Sequence, residues 1–280
     1  MPGRKVLIAE CFAAGGLVAP GGWTVIGPCS PYAGGATRKS RNQREESKSE
    51  LRYRVAIRFE IEGDLRFISH HDTMRLCERA LARTRLPVKF SEGFNPRPRL
   101  SLPLPRAVGV ASTCELLVVE MSEPTEPAEV LARLAEQMPE GLRLLDAWRI
   151  EAGTAVQPDV VDYELALTAE HMPTVAAAVE RLLAAVHWPI QRENADGRSG
   201  KTIDIRAYVA SVSVDAGALR WTARVTPRGT MRISEMLGAC GLEAETWHHR
   251  VKRTRVSWST SFPADGAEPS AGWAGDADGP

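Results

Sequence analysis

Between Tyr53 and Thr84 the apolar residues change period from two to about 3.6, which confines this stretch to a strand followed by a helix. Tyr53, Val55, Ile57, Phe59 and Ile61 alternate with Arg54, Arg58 and Glu60, the pattern of a half-buried strand. Ser69 and Asp72 then stand at capping-box spacing, so a helix is expected to begin at His70. On it Asp72, Arg75, Arg79 and Arg83 share one stripe, with Met74, Cys77, Leu81 and Thr84 opposite. The cationic ridge is expected to face water and the apolar back to anchor it. Leu86-Pro87 ends the helix, because the residue before a proline is pushed out of helical geometry.

The rest of the first half continues as a strand (Val88–Ser91) and a basic Gly/Pro loop (Gly93–Arg99). Leu100, Leu102 and Leu104 alternate, but Pro103 and Pro105 restrict that segment to an edge or a strand end. A strand at Glu115–Met121, a helix at Pro127–Met138 and a strand at Leu142–Ile150 complete the order βαββαβ. Val130, Leu131, Leu134 and Met138 are expected on the inner side of that helix. The order then recurs. A strand at Tyr163–Thr168 precedes a helix at Pro173–Val186, with Val175, Val179, Leu182, Leu183 and Val186 as its core stripe. Pro189–Arg192 and a long strand from Lys201 to Val214 flank a polar loop, and Gly217 turns the chain into Leu219–Thr226. A helix at Ile233–Cys240, stopped by Gly241, and a strand at Val251–Trp258 close the second set. The expected fold is α+β, two tandem ferredoxin-like βαββαβ units over 51–152 and 160–260. Residues 1–50 are Gly/Ala/Pro-rich and then strongly polar, which marks either a disordered leader or a start codon assigned too far upstream; 261–280 reads as a disordered tail.

Thirty-five basic side chains balance thirty-five acidic ones, so the molecule as a whole has no long-range preference for polyanions. The distribution is uneven: 52–106 is rich in arginine, whereas Glu115, Glu120, Glu123, Glu126, Glu129, Glu136, Glu140 and Asp146 make an acidic flank. The five cysteines are scattered without CxxC or CxxxCxxC spacing, which fits a reducing cytoplasm and gives neither a zinc knuckle nor an iron–sulfur site. Glu10 and paired glycines break the apolar run near the N-terminus, and no stretch has the length of a membrane span. Walker, GxGxxG, GxSxG and HExxH patterns are missing, so no cofactor or metal site is expected.

His70 and His71 would occupy the first helical turn, where the macrodipole favours a neutral imidazole able to act as a general base; the plain alternative is packing at the strand–helix junction. The arginine stripe has its own plain reading, a solvated helix face with Asp72 and Glu78 as local partners. The adjoining loop favours function. Phe94 lies between Gly93 and Asn95 beside Arg97 and Arg99, and cations near an aromatic ring suit single-stranded RNA; Phe94 as a plug that holds the loop down is the competing reading. On the strand from Lys201, alternation puts Asp204, Arg206 and Tyr208 on one face, as an ion pair or a binding platform. The cluster His248–Arg255 points Arg253 and Arg255 to one side, for a polyanion or as charge protecting an edge.

The run Gly63-Asp64-Leu65-Arg66-Phe67-Ile68-Ser69-His70, with Asp72, Arg75 and Arg79-Ala80-Leu81, resembles the radical SAM-linked proteins, also described as the domain of unknown function 2344. The likeness continues through Ser91, Gly93-Phe94-Asn95-Pro96, Pro98, Pro103-Leu104-Pro105 and Gly109, and resumes at Asp204-Ile205-Arg206 and the final basic strand. His71 departs from an apolar position in the pattern, which makes His70 the better candidate of the two. The resemblance implies a bacterial cytoplasmic protein, encoded beside or fused to a cobalamin-binding radical SAM protein, often near genes for ribosome or RNA-processing functions. Lacking CxxxCxxC, this chain is not itself the radical enzyme. The expected function is a non-catalytic accessory protein that binds RNA or another anionic substrate through His70, Asp72, Arg75, Arg79, Phe94, Asn95, Arg97, Arg99, Asp204, Arg206 and Arg253. The alternatives are a metal-independent RNA-cleaving enzyme with His70 as acid or base, and a pure protein–protein adaptor.

Overall fold

In the computed structural model, strand β1 (Tyr53–Ile61) lies between β3 (Ala111–Met121) and β4 (Leu142–Ile150), antiparallel to both. Residues 53–193 and 199–260 are described, all within the compact unit Leu51–Pro280; the expected leader and tail, and 194–198 of the polar loop, lie outside them. The alternation of β1 buries Val55, Ile57, Phe59 and Ile61. Helices α1 (His70–Thr84) and α2 (Pro127–Ala135) cover that face, with Cys77, Ala80, Leu81, Val130 and Leu134 packed into the same cluster. Ala56, Leu116 and Val118 are also buried, because the opposite face carries a smaller cluster with Trp148, Ile150 and Trp258.

An eight-stranded sheet runs β4-β1-β3, then β10 (Val251–Trp258), β5 (Pro158–Ala166), β9 (Ala218–Arg224) and β8 (Val209–Asp215), with the short β2 (Leu100–Ser101) paired to β3. Its second half comprises β5, β8, β9 and β10. Every neighbouring pair is antiparallel except β3 and β10, which join in parallel at Ala111–Lys252 and Ser112–Arg253. Within each half the main-sheet strands lie in the order fourth, first, third, second. The second half packs α3 (Met172–Ala184), α4 (Ile233–Ala239) and α5 (Ala244–Trp247) around Leu165, Leu182, Ile205, Leu219, Trp221, Met236 and Trp247.

Four expectations need correction. Val88–Ser91 is not a continuous strand. Lys89 N–H donates to Glu120 O and Glu120 N–H to Arg99 O, so both ends of this segment pair with β3, while bridges at Val88–Met121 and Phe90–Pro98 frame a hairpin between them. Residues 90–98 therefore leave the sheet edge as a finger. Lys201–Val214 is also not one strand: β7 (Ser199–Asp204) pairs only with β6 (Pro189–Glu193), and a 3-10 turn, Ile205–Tyr208, separates it from β8. Asp204 causes the break by capping that turn, its Oδ1 accepting from Arg206 N–H at 3.0 Å and from Trp188 N–H at 2.8 Å. On α3 the core stripe is narrower than expected, Leu183 being 47% exposed and Val186 80% exposed. Leu183 lies about 100° round the helix from buried Leu182, and Val186 follows the last helical turn. Finally, a bulge between Arg253 and Arg255 breaks the alternation that would have put them on one side.

The Asp204 cap predicts a pH dependence. Backbone donation from Trp188, then the contact with His187 Nδ1 at 2.7 Å, holds its carboxyl below the ordinary 3.8. A depressed carboxylate pKa adds stability above the unfolded value, and that stability is lost as pH falls through 3.8 toward the folded value. Urea midpoints of Asp204→Asn and the parent should therefore differ near neutrality and converge in acid. A gap that stays constant with pH would show that the carboxylate charge has no part in the cap.

Candidate functional site

Helix α1 begins as its capping signal requires. Ser69 Oγ accepts from Asp72 N–H at 3.1 Å and donates to the Asp72 carboxylate at 2.7 Å. That hydrogen bond, with Arg75 nearby, lowers the Asp72 pKa. Arg75 lies 3.4 Å from Asp72, and Arg79 faces solvent with no polar partner among the described residues. Arg83 leaves the stripe. Its Nε and Nη2 donate to Oε1 and the backbone O of Gln137, at 3.0 and 2.9 Å, tying α1 to the turn after α2. The part of the cationic ridge left exposed is thus Arg75, paired to Asp72 within its own helix, and Arg79.

His70 is half-buried, 6.0 Å from His71 between ring centroids. Burial lowers its pKa, as do His71 and Arg106, while Glu115 acts in the opposite direction. Among the described residues the His70 ring has no hydrogen-bond partner that would orient it for proton transfer.

The finger holds Phe94, Asn95 and Arg97. Gly93 at its tip has φ +131°, and the base is closed by Ser91 N–H donating to Arg97 O at 2.8 Å and Arg97 N–H donating to Ser91 Oγ at 3.0 Å. Phe94 is 106% exposed, so it is not a plug. Arg99 sits lower, 3.6 Å from Glu120. The finger thus carries Arg97 and a fully exposed aromatic ring that makes no ring contact among the described residues.

The remaining candidates lie elsewhere. Asp204 and Arg206 belong to the 3-10 cap of the second half, where Arg206 Nη1 donates to Val209 O at 3.3 Å. Arg253 is 2% exposed and donates to Glu115 Oε1 at 2.9 Å and Pro105 O at 3.0 Å, so it holds the junction of β3 and β10 together rather than facing a ligand. Burial works to lower its pKa, but Glu115 and Tyr163 more than offset this and the value is raised. The structure thus distributes the eleven candidates over α1, the finger, the sheet edge at its base (Arg99), the 3-10 turn and a buried ion pair.

Sequence reasoning missed Arg106 and the pocket above it. Arg106 is 8% exposed and its guanidinium donates only to backbone carbonyls, at 2.6 Å to Val110 O and 2.7 Å to Arg66 O in the strongest bonds. It fixes the loop that carries Phe67 into α1. Beside this loop an open pocket of 590 Å³ is lined by Phe67, Val108, Gly109, Ala244, Glu245, His248 and His249. Burial and the neighbouring His249 lower the His248 pKa. The signal for Arg106 was a lone arginine in the apolar run Leu104–Val110. Among the described residues no group of three His, Cys, Asp or Glu side chains is placed to hold a metal, and no helix is long and apolar enough to cross a membrane.

A mixed α+β protein with a largely antiparallel sheet, an exposed aromatic finger and a pocket between its halves is the class these features define. Residues 54–241 match the family described as "Uncharacterized protein conserved in bacteria (DUF2344)", and the chain belongs to that family. No curated protein matches the chain. A crystal structure of an unknown protein from Galdieria sulphuraria is similar over 75% of this chain and 98% of its own, at 13% identity and a TM-score of 0.23.

Proposed function

We propose that this is a non-catalytic accessory protein that holds single-stranded RNA for a cobalamin-binding radical SAM partner in the cytoplasm. The observation that carries the reading is Phe94, a fully exposed ring on a projecting finger beside Arg97. Exposing a phenyl ring to water costs stability that a purely structural loop would recover by burying it. A base stacked on the ring recovers it instead, while Arg97, Arg75 and Arg79 neutralise phosphates. The radical SAM partner follows from the resemblance stated above, and the matching strand order in the two halves supports a fold of tandem ferredoxin-like units.

Counterion release provides the test. With Arg75, Arg79 and Arg97 each meeting one phosphate, the log of the RNA association constant should fall with log salt at a slope of about −2, that is roughly −0.7 per contact. Fluorescence anisotropy with labelled single-stranded RNA at several salt concentrations measures it. A flat dependence, or no binding at low salt, overturns the reading.

A further inference from the structure

Gly109 lines the pocket between the halves. At φ +90° it occupies backbone space that side chains rarely adopt, and a Cβ there would lie 3.6 Å from Phe67 Cε1 and 3.7 Å from His248 Nδ1. Its N–H donates to Arg66 O at 2.7 Å, which fixes the floor under Phe67. The Arg66 guanidinium stands 4.9 Å from the Phe67 ring centroid, so one aromatic platform is already held by a cation. Phe67 and Val108 nonetheless remain 49% exposed each, an apolar surface with nothing over it. At 590 Å³ the space falls within the range of small-ligand sites, on the order of 300–1,000 Å³.

The polar side of the pocket selects the ligand. Glu245 lies in the first turn of α5, exposed, with no hydrogen bond or ion pair among the described residues. A free carboxylate repels phosphate and accepts N–H donors, so the pocket suits a base and not the backbone. Among the four RNA bases only guanine presents two adjacent donors, N1–H and the N2 amine, on its Watson–Crick edge. Adenine and cytosine offer one amine beside an acceptor, and uracil one N–H between two carbonyls; each sets a lone pair against the carboxylate. Arg250, exposed with its guanidinium 5.0 Å from the Trp247 ring centroid, and the exposed Lys252 follow the pocket-lining His248 and His249 in the chain and are the cations offered to flanking phosphates.

We infer that this pocket receives one unstacked guanine base, lying on Phe67 with Glu245 accepting from its N1–H and N2 amine. The inference rests on the RNA reading above for the source of the base, and a free guanine nucleotide has the same recognition chemistry.

The test uses the full chain and three labelled oligouridines that carry a central guanosine, a central inosine or no substitution. Guanosine should bind about tenfold tighter than inosine, which lacks the N2 amine, or uridine, within the discrimination expected of a bidentate base contact. Glu245→Gln should abolish that preference without changing the thermal midpoint, since the carboxylate makes no hydrogen bond or ion pair among the described residues. Equal affinity for all three oligonucleotides, with salt dependence intact, overturns the guanine pocket and leaves the arginine surface standing. Saturable binding of guanosine monophosphate that Glu245→Gln removes, with no oligonucleotide binding, supports the pocket and overturns the RNA reading. Failure of the nucleotide and all oligonucleotides overturns both.

Discussion

Glu115→Ala should lower the free energy of unfolding by about 3–5 kcal/mol, the cost of leaving a buried charge without its partner. Glu115 and Arg253 have side chains 8% and 3% exposed, and their 2.9 Å ion pair bridges β3 and β10 at the one parallel contact of the sheet. Arg106, also buried, senses both: burial lowers its pKa first, Glu115 raises it and Arg253 lowers it further. Arg106 feels the Glu115 charge but hydrogen-bonds backbone carbonyls, whereas Arg253 has its ion pair with Glu115, so removing that carboxylate leaves the Arg253 cation buried without its counter-charge. Removing the cation is milder, because in Arg253→Met the Arg106 charge still offsets part of the Glu115 charge. The expected order of urea midpoints is therefore parent, then Arg253→Met, then Glu115→Ala. Since domains of this kind are stable by roughly 5–15 kcal/mol, the carboxylate accounts for a large share of the total. A loss below about 1 kcal/mol for Glu115→Ala would mean that water reaches the guanidiniums and that the site is not dry.

The same pair shows where reading a sequence stops. Patterns that act within one element were legible: the Ser69 cap set the start of α1, and alternation set β4 at Leu142–Ile150 and β10 at Val251–Trp258. Arg253 looked like a surface cation because its counter-charge lies 138 residues away on β3, and the bulge that separates it from Arg255 leaves no mark in the sequence. Asp204 misled for a related reason. Ile203 and Ile205 continue a strand alternation, while the carboxylate between them accepts two backbone N–H groups and bends the chain out of it. The junction pocket gathers residues from three separated stretches, around Phe67, Gly109 and His248, so no motif within one stretch marked it. What was legible of the candidate site was the composition of the Gly93–Arg99 loop. Its projection from the sheet edge was not, because that depends on β3 pairing with both ends of the segment.

That projection gives Phe94→Ala an outcome opposite in kind to Glu115→Ala. The ring is already fully in water, so its loss removes no packing, and the unfolding midpoint should stay within the scatter of surface substitutions, about 0.5 kcal/mol. RNA affinity should instead fall about 5- to 150-fold, since one base stacked on an aromatic ring is worth roughly 1–3 kcal/mol. The salt slope should not move, because no phosphate contact has been lost. Arg97→Ala is the complement: weaker binding with the slope reduced by about 0.7, the share of one phosphate on a single strand. Phe94→Trp should retain binding, since indole also presents a flat face. These three substitutions separate stacking from charge at one loop. If Phe94→Ala leaves affinity for RNA unchanged while Arg97→Ala weakens it, the finger binds through charge alone, and the exposed ring serves a protein surface rather than a base.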